Sequence, residues 1–212
     1  MTSPAQRAQR DNLHSVSLRA EHVRQTRAAL VDAGRSLFGE QGFADTSVDQ
    51  IATRAGVTIG ALYHHFQNKT ELFAAVFEDV HLDVLRRNAA AAAKSRTALG
   101  SLIRGFDDFL DAVLEPAVQR IIITDAPSVL GLDRFTELDE RYAFDAVVAS
   151  LRAAHDAGEL AVRDPETLAH LLLGALVRGG VLIANSDDQR RTRNAVSRTV
   201  RDILDGFAPS RS

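Results

Sequence analysis

The chain of 212 residues contains no cysteine. Disulfide bonds, thiolate metal sites and cysteine nucleophiles are therefore excluded, and a reducing compartment such as the cytoplasm is expected. The first residues, MTSPAQRAQRDN, have no apolar segment behind their charges, so we expect no secretory signal. The longest apolar run, 171–184, is interrupted by Arg178 and is shorter than a bilayer span, so no membrane partner is expected.

Sequence motifs of common enzyme classes are also missing. The chain has no glycine-rich phosphate loop, no nucleophile elbow and no histidine–glutamate pair at metal-ligand spacing. His64 and His65 are adjacent, so on a helix their side chains diverge by about 100° and cannot hold one ion together. We therefore expect a protein that is not an enzyme, with no catalytic residue, no metal site and no cofactor.

The net charge of −3 argues against a uniformly basic surface for nucleic acid. Its distribution is uneven, because Lys and Arg outnumber Asp and Glu by eight to six in residues 1–70 but are outnumbered 22 to 17 in residues 71–212. This asymmetry fits a small DNA-binding head on an acidic body, in which a few well-placed cations matter more than the total.

A segment in the first third of the chain, TSVDQIATRAGVTIGALYHHFQNK at 46–69, has the spacing of a DNA-reading motif. Ala52 is small where two helices must approach closely, and Gly56 supplies the left-handed conformation of a sharp turn. Leu62 is placed to be buried on the second helix. This arrangement is typical of a helix-turn-helix, although the spacing alone also fits an ordinary helical hairpin.

Capping residues predict where these two helices begin. Thr46 and Asp49 match a capping box, and Thr58 is placed to cap a second helix that runs to about Phe66. The outward face of the second helix favours DNA binding, because a helix exposed only to water more often carries Glu, Lys and Gln. That face instead offers small residues, a phenol and two imidazoles, which suit base edges and phosphates: Thr58, Ile59, Gly60, Ala61, Tyr63, His64 and His65.

Residues from about Arg24 to Phe77 resemble the DNA-binding domain of the TetR family of bacterial transcriptional regulators. The resemblance is carried by AALVDAGRSLFGEQGFADTSVDQIATRAGVTIGALYHHFQNKTELFAAVF, in which LYHHF followed by NK and an acidic residue is the most specific part. It implies an all-α fold, in which an N-terminal three-helix helix-turn-helix domain is joined by a long helix to a C-terminal helical domain for ligand binding and dimerisation.

The resemblance also implies a function. We expect a repressor that binds a palindromic double-stranded DNA operator as a homodimer and is released by a small, mainly apolar effector. A helical DNA-binding regulator without such an effector is the alternative. The family positions that contact phosphates correspond here to Thr46, Tyr63, His65 and Lys69. Ser47 is also expected at the DNA, and the residues expected to face the bases are Thr58, Ile59, Gly60, Ala61 and His64. The apolar Ile59 and Ala61 depart from the family pattern and predict methyl contacts to thymine.

Three parts are expected along the chain: a flexible arm at 1–20, the helix-turn-helix domain at 21–68 and the effector-binding and dimerisation domain at 69–212. The first helix is predicted to end at Gly42, with Phe43 packing back onto Phe38. Residues 125–133 contain a proline and a glycine and predict a loop or a short helical turn.

Apolar stripes on the last two helices either close the core of the monomer or form a dimer interface. We favour the interface, because a helix-turn-helix protein of this size needs a two-fold axis to reach two half-sites, and the resemblance implies a bundle of two helices from each subunit. The residues expected there are Leu168, Leu172, Ala175, Leu176, Gly179, Val196, Val200, Ile203, Leu204 and Phe207.

Large apolar residues are concentrated in the middle helices. Each one singly is best explained as core, but the resemblance implies an effector pocket among them. The residues expected to line it are His81, Phe106, Phe109, Leu110, Val113, Ile121, Phe135, Tyr142 and Arg178. Arg178 lies within a hydrophobic helix and would need a partner if buried, either the effector or an acid of the second subunit.

Overall fold

The computed structural model describes the backbone of residues 4–92 and 95–209, and the side chains of residues 20–87, 89 and 95–209. Within these residues the secondary structure is helical, without a β-strand, which confirms the all-α prediction. The elements are α1 (Pro4–Asp45), α2 (Val48–Ala55), α3 (Ile59–His65), α4 (Lys69–Ala92), α5 (Ala98–Ala112), α6 (Pro116–Val118), the π-helical turn π1 (Gln119–Asp125), α7 (Ala126–Leu130), α8 (Leu132–Asp156), α9 (Pro165–Ala184) and α10 (Gln189–Asp205).

Helix α1 is longer than the sequence predicted. It begins at Pro4, so residues 4–20, expected as a flexible arm, continue the helix, and no further proline interrupts them. Its regular geometry breaks at Gly42, whose φ of 86° is accessible to glycine without strain. The Phe43 ring then packs on Phe38 with 5.7 Å between centroids, as predicted.

The middle of the chain contains the least expected local structure. A π-helical turn follows α6 and buries three successive isoleucines, Ile121 to Ile123. The short helix α7 and the first residues of α8 occupy the region predicted as a loop or a short helical turn, and Gly131, with a φ of 77°, separates these two helices. Tertiary burial of the isoleucines therefore keeps residues 116–130 helical despite Pro127.

Helix α4 belongs to both halves of the molecule. On one side it packs against α1, where Phe73 meets Phe38 edge-on with ring centroids 5.2 Å apart. Further along it packs against α5 and α8, and Phe77 meets Phe135 of α8 at 5.8 Å. A single hydrophobic core therefore runs through α4 from the helix-turn-helix head into the body.

Capping chemistry fixes the starts of the last two helices. Asp164 accepts a hydrogen bond from the Thr167 amide at 3.0 Å and Pro165 occupies the first turn of α9, while Asp188 caps α10. Helix α9 is long and apolar enough to cross a membrane by length and composition alone. Here it packs between α8 and α10 and buries its inner face, as a core helix does.

Most residues predicted at the dimer interface lie inside the monomer, so that prediction was wrong for them. The buried ones are Leu168, Leu172, Leu176, Gly179, Val200 and Leu204. Val196 and Phe207 also pack against the core, and a Cβ added at Gly179 would lie only 2.6 Å from Val196 Cγ1. The inner stripes of α9 and α10 thus pack against each other. On the outer faces remain Ala175, which is half-buried, and the exposed Leu171, Leu182 and Ile203.

Candidate DNA interface and effector pocket

The helix-turn-helix begins one residue later than predicted. Ser47, not Thr46, caps α2: its hydroxyl accepts from the Gln50 amide at 3.1 Å, and the Gln50 side chain accepts from the Ser47 amide at 2.8 Å. This reciprocal pair is a capping box in which Gln50 replaces the predicted Asp49. Gly56 ends α2 in the left-handed conformation with a φ of 68°, as predicted.

Thr46 turns inward, away from any DNA surface. Its side chain is 1% exposed, and its hydroxyl donates to the Gly42 carbonyl at 2.7 Å. This hydroxyl therefore stabilises the turn between α1 and α2, and α2 begins after Ser47. The predicted phosphate contact of the Thr46 side chain is therefore not supported, whereas the neighbouring Ser47 is exposed.

Helix α3 presents the predicted face to solvent. Thr58 caps it by accepting from the Ala61 amide at 3.1 Å, and Leu62 on the opposite side is fully buried. Ile59 and Tyr63, one turn apart, are 43% and 52% exposed. Three further predicted contacts lie on or beside this face: Gly60 and His64, which are exposed, and Ala61, which is half-buried.

His65 lies at the edge of this face and is half-buried. Burial lowers the pKa of its imidazole, and the nearby His64 and Arg27 lower it further. Its ring is therefore mainly neutral near pH 7, so it can offer one N–H donor to a phosphate but not a full positive charge.

Lys69 is bonded within the chain instead of standing free for a phosphate. Its ammonium donates to the Phe43 carbonyl at 2.7 Å and to the Thr46 carbonyl at 2.8 Å, and lies 4.2 Å from the centroid of the Phe43 ring. These bonds join the start of α4 to the corner between α1 and α2. An ammonium has three protons, so one remains for a phosphate in a DNA complex.

A cavity of about 310 Å³ lies between α4, α5, α8 and α9. Of the predicted lining, His81, Phe106, Phe109 and Tyr142 face it. Leu110, Val113, Ile121 and Phe135 are buried in the surrounding core and do not line it. Arg178 is exposed on α9 and needs no buried partner, so its predicted place in the pocket was wrong. A single charge on a helix avoids burial by facing solvent.

Two buried ionisable side chains lie in the mainly apolar wall of the cavity. His81 is 4% exposed and Asp139 is 7% exposed, and 3.9 Å separates His81 Nδ1 from the nearer carboxylate oxygen. Burial lowers the pKa of His81 to about 4. Burial also raises the pKa of Asp139 to about 6, with a contribution from Glu140. At neutral pH a neutral imidazole therefore faces a mainly ionised carboxylate.

Sequence reasoning did not identify Asp139, although a signal was present. The residue follows Phe135 by four positions and precedes Tyr142 by three, so it shares the apolar face of α8. An acid on that face has to be buried, paired or functional.

Ion pairs and hydrogen bonds connect the cavity helices to the head. Arg134, at the start of α8, donates two hydrogen bonds to the two Glu71 carboxylate oxygens, at 2.8 and 3.0 Å. The hydrogen bond from Arg134 also lowers the pKa of Glu71. Near π1, the Asp125 carboxylate accepts from the Phe43 amide at 2.8 Å, and Arg120 donates to the Glu40 carbonyl at 2.9 Å.

Comparison with protein families finds matches for two regions of the chain. Residues 30–76 match the family described as bacterial regulatory proteins, tetR family. Residues 99–207, about half of the chain, match the tetracyclin repressor-like C-terminal domain.

Individual relatives agree with this assignment. A TetR-family transcriptional regulator from Pectobacterium atrosepticum has a TM-score of 0.79 and 30% identity, over 91% of this chain and 98% of that one. The transposon Tn10 TetC protein of Escherichia coli is 28% identical over 73% of this chain and 78% of its own. RolR, in a complex with resorcinol, shares the fold with a TM-score of 0.70 at 18% identity, over 91% of this chain and 100% of its own. The chain therefore belongs to the TetR family and is a helix-turn-helix, DNA-binding transcriptional regulator.

Proposed function

We propose that this regulator is a cytoplasmic repressor that binds a palindromic operator as a homodimer and leaves it when a small, mainly apolar effector enters the cavity. One observation carries the proposal: helix α4 belongs to both sites. It begins at Lys69, bonded to the corner beside α2, and it brings His81 into the cavity wall three turns later.

The exposed face of α3 is the part proposed to enter the major groove. Ile59 and Tyr63 would otherwise leave two large apolar surfaces in water on a helix of seven residues. The Ile59 side chain can contact a thymine methyl, and Tyr63 and His64 can donate to phosphates or base edges. Ser47, at the exposed start of α2, can donate to a phosphate.

The outer faces of α9 and α10 are proposed to pair with a second copy of the chain. Leu171, at 66% exposure, together with Leu182 and Ile203, forms an apolar strip that the monomer leaves uncovered. A two-fold axis through this strip would bury it against itself and place two α3 helices one or more turns of DNA apart, about 34 Å per turn. Of the residues that the sequence predicted at the interface, Ile203 and Ala175 lie on these outer faces, whereas Leu171 and Leu182 were not among them.

The cavity is proposed as the effector site. Its volume of about 310 Å³ is at the lower end of the usual range for ligand pockets, about 300–1,000 Å³. Its wall is mainly apolar. The cavity lies between α4, which joins the DNA-binding domain to the body, and α9, which is proposed to pair the subunits. The complex of RolR with resorcinol supports the idea that this fold can hold a small organic ligand.

Release of DNA follows from moving α4 relative to α8. A ligand between these helices changes their spacing, and the pair between Arg134 and Glu71 transmits that change to the start of α4. Changing the population from mainly DNA-competent to mainly incompetent requires a differential affinity of about 5 kcal/mol. Burying about 200 Å² of apolar ligand surface at about 25 cal/mol per Å² would supply it.

Selection of operators from random duplexes, followed by fluorescence anisotropy, tests DNA binding. We expect salt-sensitive binding to a palindrome, and a loss of at least tenfold in affinity for Ile59→Ala and Tyr63→Ala. Leu132→Ala, which truncates an exposed leucine at the start of α8, is the control and should bind normally. If the selection shows no sequence preference, the proposal that the protein binds a specific operator is wrong.

Light scattering tests the dimer separately. Leu171→Asp should convert the dimer into a monomer and weaken operator binding, whereas Leu132→Asp, an equally exposed change elsewhere, should do neither. A dimer that persists in Leu171→Asp would place the interface elsewhere. If no lipophilic compound shifts the thermal stability of the protein, the alternative without an effector gains support.

A further inference from the structure

The polar pair in the cavity wall is incompletely bonded. No described residue bonds His81 Nδ1, although this atom is fully buried, and none donates a hydrogen bond to the Asp139 carboxylate. A buried polar atom without a partner is rare in a folded protein, because its desolvation is not compensated. Both residues line the cavity, but Nδ1 has almost no surface open to it, so a ligand there can supply a bond only to the Asp139 carboxylate.

We propose that the effector is a neutral, mainly apolar molecule carrying a hydroxyl group, and that this hydroxyl donates a hydrogen bond to the Asp139 carboxylate beside His81. The inference rests on the proposed effector function of the cavity and specifies the chemical class of the effector.

The Asp139 carboxylate lacks a donor that a ligand can supply. At 3.9 Å, His81 Nδ1 and the Asp139 carboxylate are too far apart for a direct hydrogen bond. A ligand hydroxyl about 2.7 Å from the carboxylate donates its proton to it and remains neutral. A hydrogen bond to an ionised carboxylate is stronger than one between neutral groups.

Charged ligands fit the cavity less well. A carboxylate ligand would be repelled by Asp139. An ammonium ligand would have to leave water for a wall that is mainly apolar, a desolvation cost that a neutral hydroxyl does not have. The remaining wall favours a flat hydrocarbon skeleton, since it is formed mainly by aliphatic side chains and the rings of Phe106 and Phe109.

Three probes of similar shape test this inference by calorimetry on the full-length dimer: 2-naphthol, naphthalene and naphthalen-2-ylmethylammonium. We expect 2-naphthol to bind about 10- to 100-fold more tightly than naphthalene, the range for a hydrogen bond to a charged group. Asp139→Leu should reduce this preference to within about threefold while naphthalene still binds. Ser150→Ala, in the same wall, is the matched control and should keep the preference, because the Ser150 hydroxyl is already bonded to the Ala146 carbonyl.

The outcomes separate this inference from the proposed function. Equal affinity for naphthalene and 2-naphthol, or tightest binding of the ammonium probe, would overturn the hydroxyl inference while leaving the cavity as an effector site. An unchanged preference in Asp139→Leu would also overturn it. If no probe binds and operator affinity is unaffected by all three, the effector function of the cavity fails as well.

Discussion

Replacing Asp139 with asparagine should make the protein more stable at neutral pH. The substitution keeps the shape of the side chain and removes its charge. Burial raises the pKa of Asp139 from 3.8 to about 6, so ionisation of this group is less favourable in the folded chain than in the unfolded one. About two pKa units correspond to about 3 kcal/mol at a pH above both values. We therefore expect Asp139→Asn to gain up to about 3 kcal/mol near pH 7.5.

The dependence of folding stability on pH follows from the direction of each pKa shift. Asp139 contributes stability below pH 4, where it is protonated in both states, and loses it as the pH rises through about 6. His81 acts in the opposite direction, since its pKa falls from 6.5 to about 4: its contribution is complete above pH 6.5 and is lost as the pH falls towards 4. In the wild type the two effects largely cancel between pH 4 and 6.5.

Single variants should expose each effect separately. Asp139→Asn should lose stability relative to the wild type as the pH falls from 6 to 4, so that its advantage disappears near pH 4. His81→Leu should lose stability relative to the wild type as the pH rises from 4 to 6.5. Urea unfolding followed by circular dichroism measures both differences, at a fixed protein concentration because the unfolding of the proposed homodimer would depend on concentration. Parallel profiles for the wild type and Asp139→Asn between pH 4 and 8 would refute the desolvation argument.

Three further predictions concern packing, the head and coupling. Gly179→Ala should destabilise the fold by about 1–3 kcal/mol in urea unfolding, because its Cβ would lie 2.6 Å from a side-chain atom of α10. Gly105→Ala, whose Cβ meets nothing within 4 Å, is the control and should stabilise the fold by up to about 1 kcal/mol. Equal effects of the two substitutions would contradict the close approach of α9 to α10. Lys69→Ala should lower both the melting temperature and the affinity for every DNA duplex, and the slope of log affinity against log salt concentration should fall by about one. An unchanged melting temperature would contradict the stabilising role of its two hydrogen bonds to backbone carbonyls. Arg134→Ala should leave the affinity of the cavity for the probe unchanged but weaken the effect of the probe on operator binding. If the probe still lowers operator affinity as much as in the wild type in anisotropy titrations, the ion pair between Arg134 and Glu71 does not connect the cavity to the DNA-binding domain.

Short-range chemistry explains why the head was predictable from sequence. The turn after α2 depends on Gly56 and the start of α3 on Thr58, and each of these residues acts within a few positions of itself. The capping box was misplaced by one residue because Thr46 and Ser47 can both cap. The choice between them depends on the bond from Thr46 to the carbonyl of Gly42 at the end of α1.

Only the tertiary structure decides which side of an apolar helix faces the core. The sequence marked α9 and α10 as apolar, but the approach of Gly179 to α10 turns their inner stripes together and leaves Leu171 outside. In the same way, Asp139 becomes a cavity residue because α4, α5 and α9 pack around it. The reason is physical: caps and turns depend on neighbours along the chain, whereas burial depends on long-range packing between helices that periodicity alone does not specify.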